Sequence, residues 1–290
     1  MPTDILIAGC GDLGSALGQD LVARGYQVAG LRRSASPLPG GIRTLQGDVT
    51  QAQTLERLAE LRPAVLVYSV AAKTQSDDDY RAHYVEGLRN TLAALHGYGN
   101  LRHVFFVSST RVYGQSGGNI LDEETPAIPA DFGGRRLLEA ETLLESSPCP
   151  GTALRLSGIY GPGRMRMLQL AGHPGDWPVR NSWTNRIHRD DAAAFIASLI
   201  QRVFKAEPVA TRYIVTDSKP SPQYEVLRWL AVKMGADMTD VKDPPVDGGK
   251  RLDNARMLVT GFRLRYPDYQ AGYAKELEEF LAEKESVQKP

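Results

Sequence analysis

The sequence predicts an α/β fold, a doubly wound parallel sheet with a small C-terminal lobe, on three observations. An apolar run, Ile5 to Ala8, passes directly into Gly9-Cys10-Gly11-Asp12-Leu13-Gly14 and then into a segment of helical period. Short β-rich runs and helix-period segments alternate as far as Leu156, which is how a parallel sheet with crossover helices is written. Beyond Gly158 the chain becomes rich in turn formers, at Gly161-Pro162-Gly163 and from Ala171 to Pro178. The arrangement is a Rossmann-type domain over 1–160, with a helix and strand returning from the C-terminal half, and a smaller, partly interleaved substrate lobe over 161–290.

Each element has its own signal. Ile5 to Ala8 reads as a buried strand. Leu13, Leu17, Leu21 and Val22 recur at helical spacing until Arg24-Gly25 stops the helix, and Tyr26 to Leu31 follow as a second strand. Leu55, Leu58, Ala59 and Leu61 mark a helix, and Ala64 to Tyr68 a strand. A helix from about Tyr80 to Leu95 precedes a strand at His103 to Val107. Another, around Arg136 to Leu144, leads to a strand at Thr152 to Leu156. In the lobe, helices are expected at Asp190 to Gln201, Pro222 to Met234 and Tyr269 to Lys284, the last with Glu and Lys on its exposed face. No repeat of about 20–50 residues recurs, so a solenoid is excluded.

Composition removes several function classes. Across 290 residues, 34 Lys+Arg balance 34 Asp+Glu, so no basic excess is present to displace counterions from nucleic acid. No apolar run approaches the roughly 20 residues of a membrane helix. Met1-Pro2-Thr3-Asp4 offers no basic region ahead of an apolar stretch, and no signal peptide is expected. The two cysteines, Cys10 and Cys149, lack metal-ligand spacing, and no His/Cys cluster suggests zinc. The expectation is a cytoplasmic, metal-free protein without disulfides.

The glycine turn carries the first chemistry. In the G-x-G-x-x-G spacing one glycine permits a tight turn, one lets a pyrophosphate approach the backbone, and one lets the helix pack on the strand. Phosphates then sit at the helix N-terminus, where unpaired N–H groups and the helix dipole favour negative charge. Gly9, Gly11, Asp12, Leu13 and Gly14 are therefore candidate cofactor residues. Cys10 lies in the same turn, where a helix N-terminus would lower its thiol pKa, although it reads best as a small filler. The second strand ends in Arg32-Arg33-Ser34 rather than the Asp or Glu that accepts from an NAD ribose. Two guanidinium groups and a hydroxyl suit a 2′-phosphate, so NADP is the expected cofactor, with NAD as the alternative.

Further along, the residues resemble a known family. Gly47-Asp48-Val49, Val67-Tyr68-Ser69-Val70-Ala71-Ala72, Ser108-Ser109-Thr110-Arg111-Val112-Tyr113-Gly114, Arg155 to Gly163 and Asn185 to Asp191 occur in the order of five segments of the extended short-chain dehydrogenases/reductases. Within that group the chain resembles the NAD-dependent epimerases/dehydratases of nucleotide sugars, over nearly its whole length. The resemblance implies that Asp48 and Val49 meet the adenine, that Val70, Ala71 and Ala72 run under the cofactor, and that Ser108 flanks it. It also implies Ser109 as the active-site hydroxyl, a small-molecule substrate such as a nucleotide sugar, and a homodimer. Tyr113, Arg164 and Arg186 are candidate substrate contacts, with packing and a solvated loop as the alternatives. Arg166, Arg180 and Trp183 belong to the same phosphate-and-base reading.

The pattern breaks at the catalytic pair. The family places Tyr-x-x-x-Lys on the helix after the Ser/Thr strand, and here Phe132 and Arg136 fall at those positions. Phe has no titratable proton, and loss of a general acid or base costs typically ~10²- to 10⁴-fold in rate. Arg136 keeps the positive charge and could hold ribose hydroxyls, but cannot share a proton near neutral pH. Tyr84 replaces an Asn that organises the family's site and is a candidate donor. Thr110 and Arg111 replace the Asp and Glu of the dehydratases, which argues against that reaction. His173 and His188 are too isolated to read as bases. Two functions stay open: an NAD(P)-dependent epimerase/dehydratase-like oxidoreductase with a rearranged proton donor, or a catalytically inactive dinucleotide sensor or scaffold. A third reading, fold without cofactor, is disfavoured by the intact glycine turn.

Overall fold

The computed structural model describes residues 3–95 and 100–287; residues 288–290 of the expected lobe lie outside it. The chain divides into two units. The first comprises Met1–Gly114, Pro126–Leu156 and Ala192–Val215, and the second Gln115–Thr125, Ser157–Asp191 and Thr216–Pro290. The exchange of chain is finer than a single cut at residue 160, because residues 115–125 group with the lobe and residues 192–215 return to the sheet.

The first unit holds a seven-stranded sheet: β1 (Ile5–Ala8), β2 (Val28–Arg32), β3 (Arg43–Gln46), β4 (Val65–Tyr68), β5 (His103–Ser109), β6 (Gly151–Leu156) and β7 (Arg212–Val215). Their spatial order is β7-β6-β5-β4-β1-β2-β3, and every neighbouring pair is parallel. β1 and β4 are buried along their whole length, which explains continuous apolar runs in place of alternation. β3, absent from the sequence reading, is an edge strand exposed at both ends, so its residues carry no apolar signal. The strand order reverses between β1 and β4. In such sheets the ligand crevice lies beyond the C-terminal strand ends at this reversal.

Helix α1 (Asp12–Ala23) buries Leu13, Leu17 and Leu21 as its spacing predicts. Ala52–Leu61 is a run of 3₁₀ turns rather than an α-helix; Leu55, Leu58 and Leu61 recur every three residues, the period of that helix. The segment expected as one helix to Leu95 is three: α2 (Asp77–Tyr80), a π-helical stretch Arg81–Glu86, and α3 (Gly87–Leu95). The Tyr68 hydroxyl, at the end of β4, donates to the His83 carbonyl within that stretch. Helix α4 (Phe132–Glu145) starts on Asp131, whose carboxylate accepts from the Gly134 N–H at 2.8 Å.

Under α4 lies a buried ion pair. Arg155 Nη2 meets Glu141 Oε2 at 2.6 Å, with both side chains nearly inaccessible. Arg155 Nη1 donates to the Tyr113 hydroxyl at 2.6 Å, and Ser108 Oγ donates to Glu141 Oε1 at 2.6 Å. Each buried charge is thus hydrogen-bonded several times over, the condition for such a pair to be tolerated.

The second unit is assembled from short pieces. Gly158–Tyr160 pairs in parallel with Arg186–His188, and Asn181–Thr184 lies between Ser221–Pro222 and Val246–Gly249. Helices α5 (Arg166–Ala171), α7 (Gln223–Lys233) and α9 (Tyr269–Val287) close an aromatic core around Tyr160, Trp177, Tyr224 and Tyr273. Two further helices are α6 (Arg189–Phe204), which leads back into the sheet unit, and α8 (Ala255–Val259). In α9 the side chains past residue 282 lie outside the described residues, so the charged face expected as far as Lys284 is described only in part.

His188 is buried and hydrogen-bonded on both ring nitrogens. Its Nδ1 accepts from the Asp190 N–H, which leaves an Nε2–H to donate to the buried Glu276 at 2.9 Å. Nearby, Asp217 is buried and its Oδ2 has no hydrogen-bond partner among the described residues. Burial pushes its carboxyl up to about 7, against the opposing charge of Arg186.

Two stability measurements follow from these buried charges. Glu141→Leu strands the Arg155 guanidinium and lowers urea stability by about 3–5 kcal/mol, and adding Arg155→Leu recovers a large part of the loss; a double variant no better than the single one contradicts the pairing. Asp217 has a folded pKa above its unfolded value, so its contribution is fully present below about pH 4 and is lost as pH rises toward about 7. Asp217→Asn therefore matches the parent at pH 4 and exceeds it in urea midpoint at pH 8. An equal midpoint at pH 8 contradicts the raised pKa.

Candidate active site

The glycine turn is built as its spacing requires. Gly9 has φ +87°, and a Cβ there would lie 2.6 Å from the backbone of Ser69 and Val70. Only glycine lets the end of β1 pass the end of β4 this closely. A Cβ on Gly14 would lie 2.9 Å from the Gly9 carbonyl oxygen, so this residue sets helix-to-strand packing. Gly11 differs, because a Cβ there meets nothing within 4 Å. It caps α1 without a side-chain hydrogen bond, next to the exposed Asp12 and the buried Leu13. Backbone open to an approaching group at a helix N-terminus fits a dinucleotide pyrophosphate. Cys10 in this turn is buried, and burial pushes its thiol pKa up despite the opposing effects of Ser15 and Arg32. The lowering expected from the helix terminus is corrected accordingly.

Beyond β2, Arg32 is half-buried while Arg33 and Ser34 are exposed. The Ser34 hydroxyl closes a local turn, donating to Ser36 Oγ and accepting from the Ser36 N–H. Asp48 stands beyond β3. Burial raises its pKa, but hydrogen bonds from the Thr50 N–H and hydroxyl, then the charge of Arg33, outweigh this and hold it below the usual carboxylate range. Val49 is buried beside it. After β4, Val70 and Ala72 are half-buried and Ala71 exposed, and the Ala72 N–H hydrogen-bonds the Tyr84 phenol. Burial nevertheless raises the Tyr84 pKa, so this phenol keeps its proton.

The two serines at the end of β5 face opposite ways, as alternation along a strand demands. Ser108 points into the buried Glu141–Arg155 pair, so its expected place beside the cofactor is corrected to the core. Ser109 is half-buried and caps the 3₁₀ turn Thr110–Val112, accepting from the Arg111 N–H at 3.2 Å. Tyr113 is 1% exposed and its hydroxyl is held by Arg155; the substrate contact expected of it is corrected to core packing.

Arg111 is the centre of a cluster the sequence reading passed over. Its Nε donates to both Asp131 oxygens at 3.0 Å, and its Nη1 to Gln75 Oε1 at 2.8 Å and the Tyr80 hydroxyl at 2.7 Å. The guanidinium also lies over the Tyr80 and Phe132 rings, 5.1 and 5.4 Å from their centroids. Phe132 meets Tyr80 edge-on at 5.4 Å, and the Tyr84 ring packs against Tyr80 at a tilt, 5.1 Å between centroids. Arg136, one turn into α4, gives Nε and Nη2 to Asp77 and Nη1 to Glu139. These carboxylates raise its pKa further and keep it charged.

In the second unit, Arg164 is exposed just after the Gly161–Gly163 turn. Arg186 is buried, donating through Nη2 to Thr184 Oγ1 at 2.6 Å and lying 5.5 Å from the Tyr269 ring centroid. Its Nη1 has no partner among the described residues. Arg166 and Arg180 are exposed, and Trp183 carries the Arg251 guanidinium over its ring. No group of three or more His, Cys, Asp or Glu among the described residues could hold a metal ion, and no described helix is long and apolar enough to cross a membrane.

Comparison with known proteins agrees with this geometry. Residues 5–202 match the model of the NAD dependent epimerase/dehydratase family. A solved structure from Methylobacillus flagellatus, described as an NAD-dependent epimerase/dehydratase, is 54% identical, covers 97% of this chain and 99% of its own, and superposes with a TM-score of 0.88. Among curated proteins, Escherichia coli K12 protein YeeZ is 27% identical over 91% of this chain and 96% of its own. A 3-diazoavenalumate denitrifying reductase from Streptomyces is 29% identical over 80% and 82%.

Two more distant structures of the same fold bear on the cofactor. Thermus thermophilus UDP-glucose 4-epimerase (21% identity, 96% and 99% covered, TM-score 0.74) and Bordetella bronchiseptica WbmG (21%, 98% and 95%, 0.78) are both complexes with NAD. These complexes hold NAD and overturn the expectation of NADP drawn from Arg32-Arg33-Ser34. In the local structure the Ser34 hydroxyl is engaged within its own turn. The turn, the strand order and the match across most of the chain have one reading, and the chain belongs to the NAD-dependent epimerase/dehydratase family.

Proposed function

We propose that the protein is an NAD-dependent oxidoreductase or epimerase that acts at a carbinol or carbonyl carbon of a small molecule, nucleotide sugars among them. The observation that carries this reading is the open backbone at Gly11 on an α1 terminus without a side-chain cap. Bound there, NAD would supply a hydride acceptor, or its reduced form a donor. The chain's own part is to bind and orient. Gly9 to Gly14 take the pyrophosphate, Asp48 and Val49 flank the adenine, and Val70 to Ala72 run beneath the dinucleotide. Ser109 presents a hydroxyl to the substrate oxygen. The names of relatives support the substrate class, since one is a UDP-glucose 4-epimerase and another a reductase.

A second reading, a dinucleotide-binding protein without turnover, is favoured by Phe132 and by the engagement of Arg136 with Asp77 and Glu139. Calorimetric titration with NAD followed by turnover assays separates the two.

Gly11→Ala tests the binding site itself. The new methyl group meets no protein atom within 4 Å, so thermal stability stays within about 1 °C while NAD affinity falls at least about tenfold, or 1.4 kcal/mol. Unchanged affinity contradicts the assignment.

A further inference from the structure

We propose that the Tyr80 hydroxyl, held by Arg111, is the proton-transferring group of this site and replaces the phenol missing at position 132; the inference rests on the NAD-dependent reading above. Phe132 keeps the place of the family's phenol, and its ring edge meets Tyr80 at 5.4 Å. The Tyr80 phenol, 6% exposed, is thus in direct ring contact with that position. Its oxygen accepts from Arg111 Nη1 at 2.7 Å, and its proton is directed at Gln75 Oε1, 3.1 Å away on an exposed side chain. A guanidinium donating to a phenol oxygen stabilises the charge that remains when the proton leaves. The lysine of the family's pair would do the same for its tyrosine.

The start of α4 is shaped to hold this arrangement. A Cβ on Gly133 would lie 2.5 Å from the Arg111 Cζ, and one on Gly134 2.5 Å from the Arg111 carbonyl oxygen. Asp131 caps the helix and accepts from Arg111 with both oxygens. Arg111, Asp131, Phe132, Gly133 and Gly134 are thus one packed unit, and Phe132 is its apolar wall. The other phenols are committed elsewhere. Tyr84 is held by the Ala72 N–H and supports the chain after β4, and Tyr113 serves Arg155 in the core.

In the reducing direction, the carbonyl carbon gains its new C–H bond with the electron pair that NADH supplies, and the carbonyl π pair moves to oxygen. That oxygen takes the proton as the Tyr80 O–H bond breaks. The phenol's bonding pair stays on its oxygen beside Arg111, and solvent at the Gln75 side returns the proton. Oxidation of a carbinol with NAD runs these steps backwards.

The test compares the parent with Tyr80→Phe, Tyr84→Phe and the double variant Tyr80→Phe/Phe132→Tyr. NADH affinity is read by fluorescence, and turnover on UDP-glucose with NAD and on a 3-oxo ester and an aryl aldehyde with NADH. In protein labelled at tyrosine Cζ, the NMR resonance missing from Tyr80→Phe should move when the aldehyde is added to the NAD complex, which cannot reduce it. Tyr80→Phe should lose ~10²- to 10⁴-fold in turnover with NADH affinity within about twofold. The double variant should regain at least about tenfold, and Tyr84→Phe should keep the parent's pH profile. Four results overturn the proposal with NADH binding intact: a Tyr80→Phe variant within about threefold of the parent, a double variant that regains nothing, a stationary Tyr80 resonance, or a parent that turns over no probe. Absence of NADH binding instead overturns the function proposed above, and this inference with it.

Discussion

The guanidinium of Arg111 is pinned from four sides, by Asp131, Gln75, the Tyr80 hydroxyl and the faces of two aromatic rings, and the site at the end of β5 takes its shape from that constraint. A side chain at Gly133 would displace it, and one at Gly134 would meet the Arg111 backbone carbonyl. The residues of this cluster are therefore coupled. Arg111 needs Gly133 and Gly134 for space, Asp131 for charge, and a neighbour at position 132 that makes no polar demand of its own. A phenylalanine meets that last condition, since its ring offers the cation a π face and asks for no hydrogen bond.

Beneath this surface cluster a second buried charge fixes the same helix to the sheet. Glu141 of α4 joins Arg155 of β6, Ser108 of β5 and, through the arginine, Tyr113. The strand β5 thus sends consecutive serines to different tasks, Ser108 to hold the helix and Ser109 to cap the turn that follows. A charged core of this kind adds little net stability but tolerates few arrangements. It accounts for the burial of two residues expected to touch ligands.

The fold was legible wherever burial is two-sided or strictly periodic. β1, β4 and α1 stand as their residues predict, because an all-apolar strand and a Leu13-Leu17-Leu21 stripe have few other solutions. Edge strand β3 and the π-helical stretch at Arg81–Glu86 were not legible, since one is half solvated and the other depends on tertiary partners such as Tyr68. In the site, the glycine turn could be read from local backbone geometry alone. Tyr80 could not, because its link to Arg111 spans 31 positions and joins different elements. The Gly133-Gly134 doublet was the one available signal, visible as an unexplained second glycine at a helix start. At Arg32-Arg33-Ser34, residue type suggested a phosphate clamp, but the hydrogen bonding of the Ser34 hydroxyl within the Ser34–Ser36 turn was not visible in the sequence.

A crystal structure of the NAD complex tests the central claim most directly, because it places the nicotinamide relative to the Arg111 cluster. The account predicts the nicotinamide ring against the Ser109–Arg111 turn, with Arg111 still on Asp131. The Tyr80 hydroxyl should then lie within hydrogen-bond reach, about 3–3.5 Å, of the space where a substrate oxygen would sit. A nicotinamide turned away from this turn contradicts the account. So does an Arg111 that leaves Tyr80 to bind the cofactor phosphates.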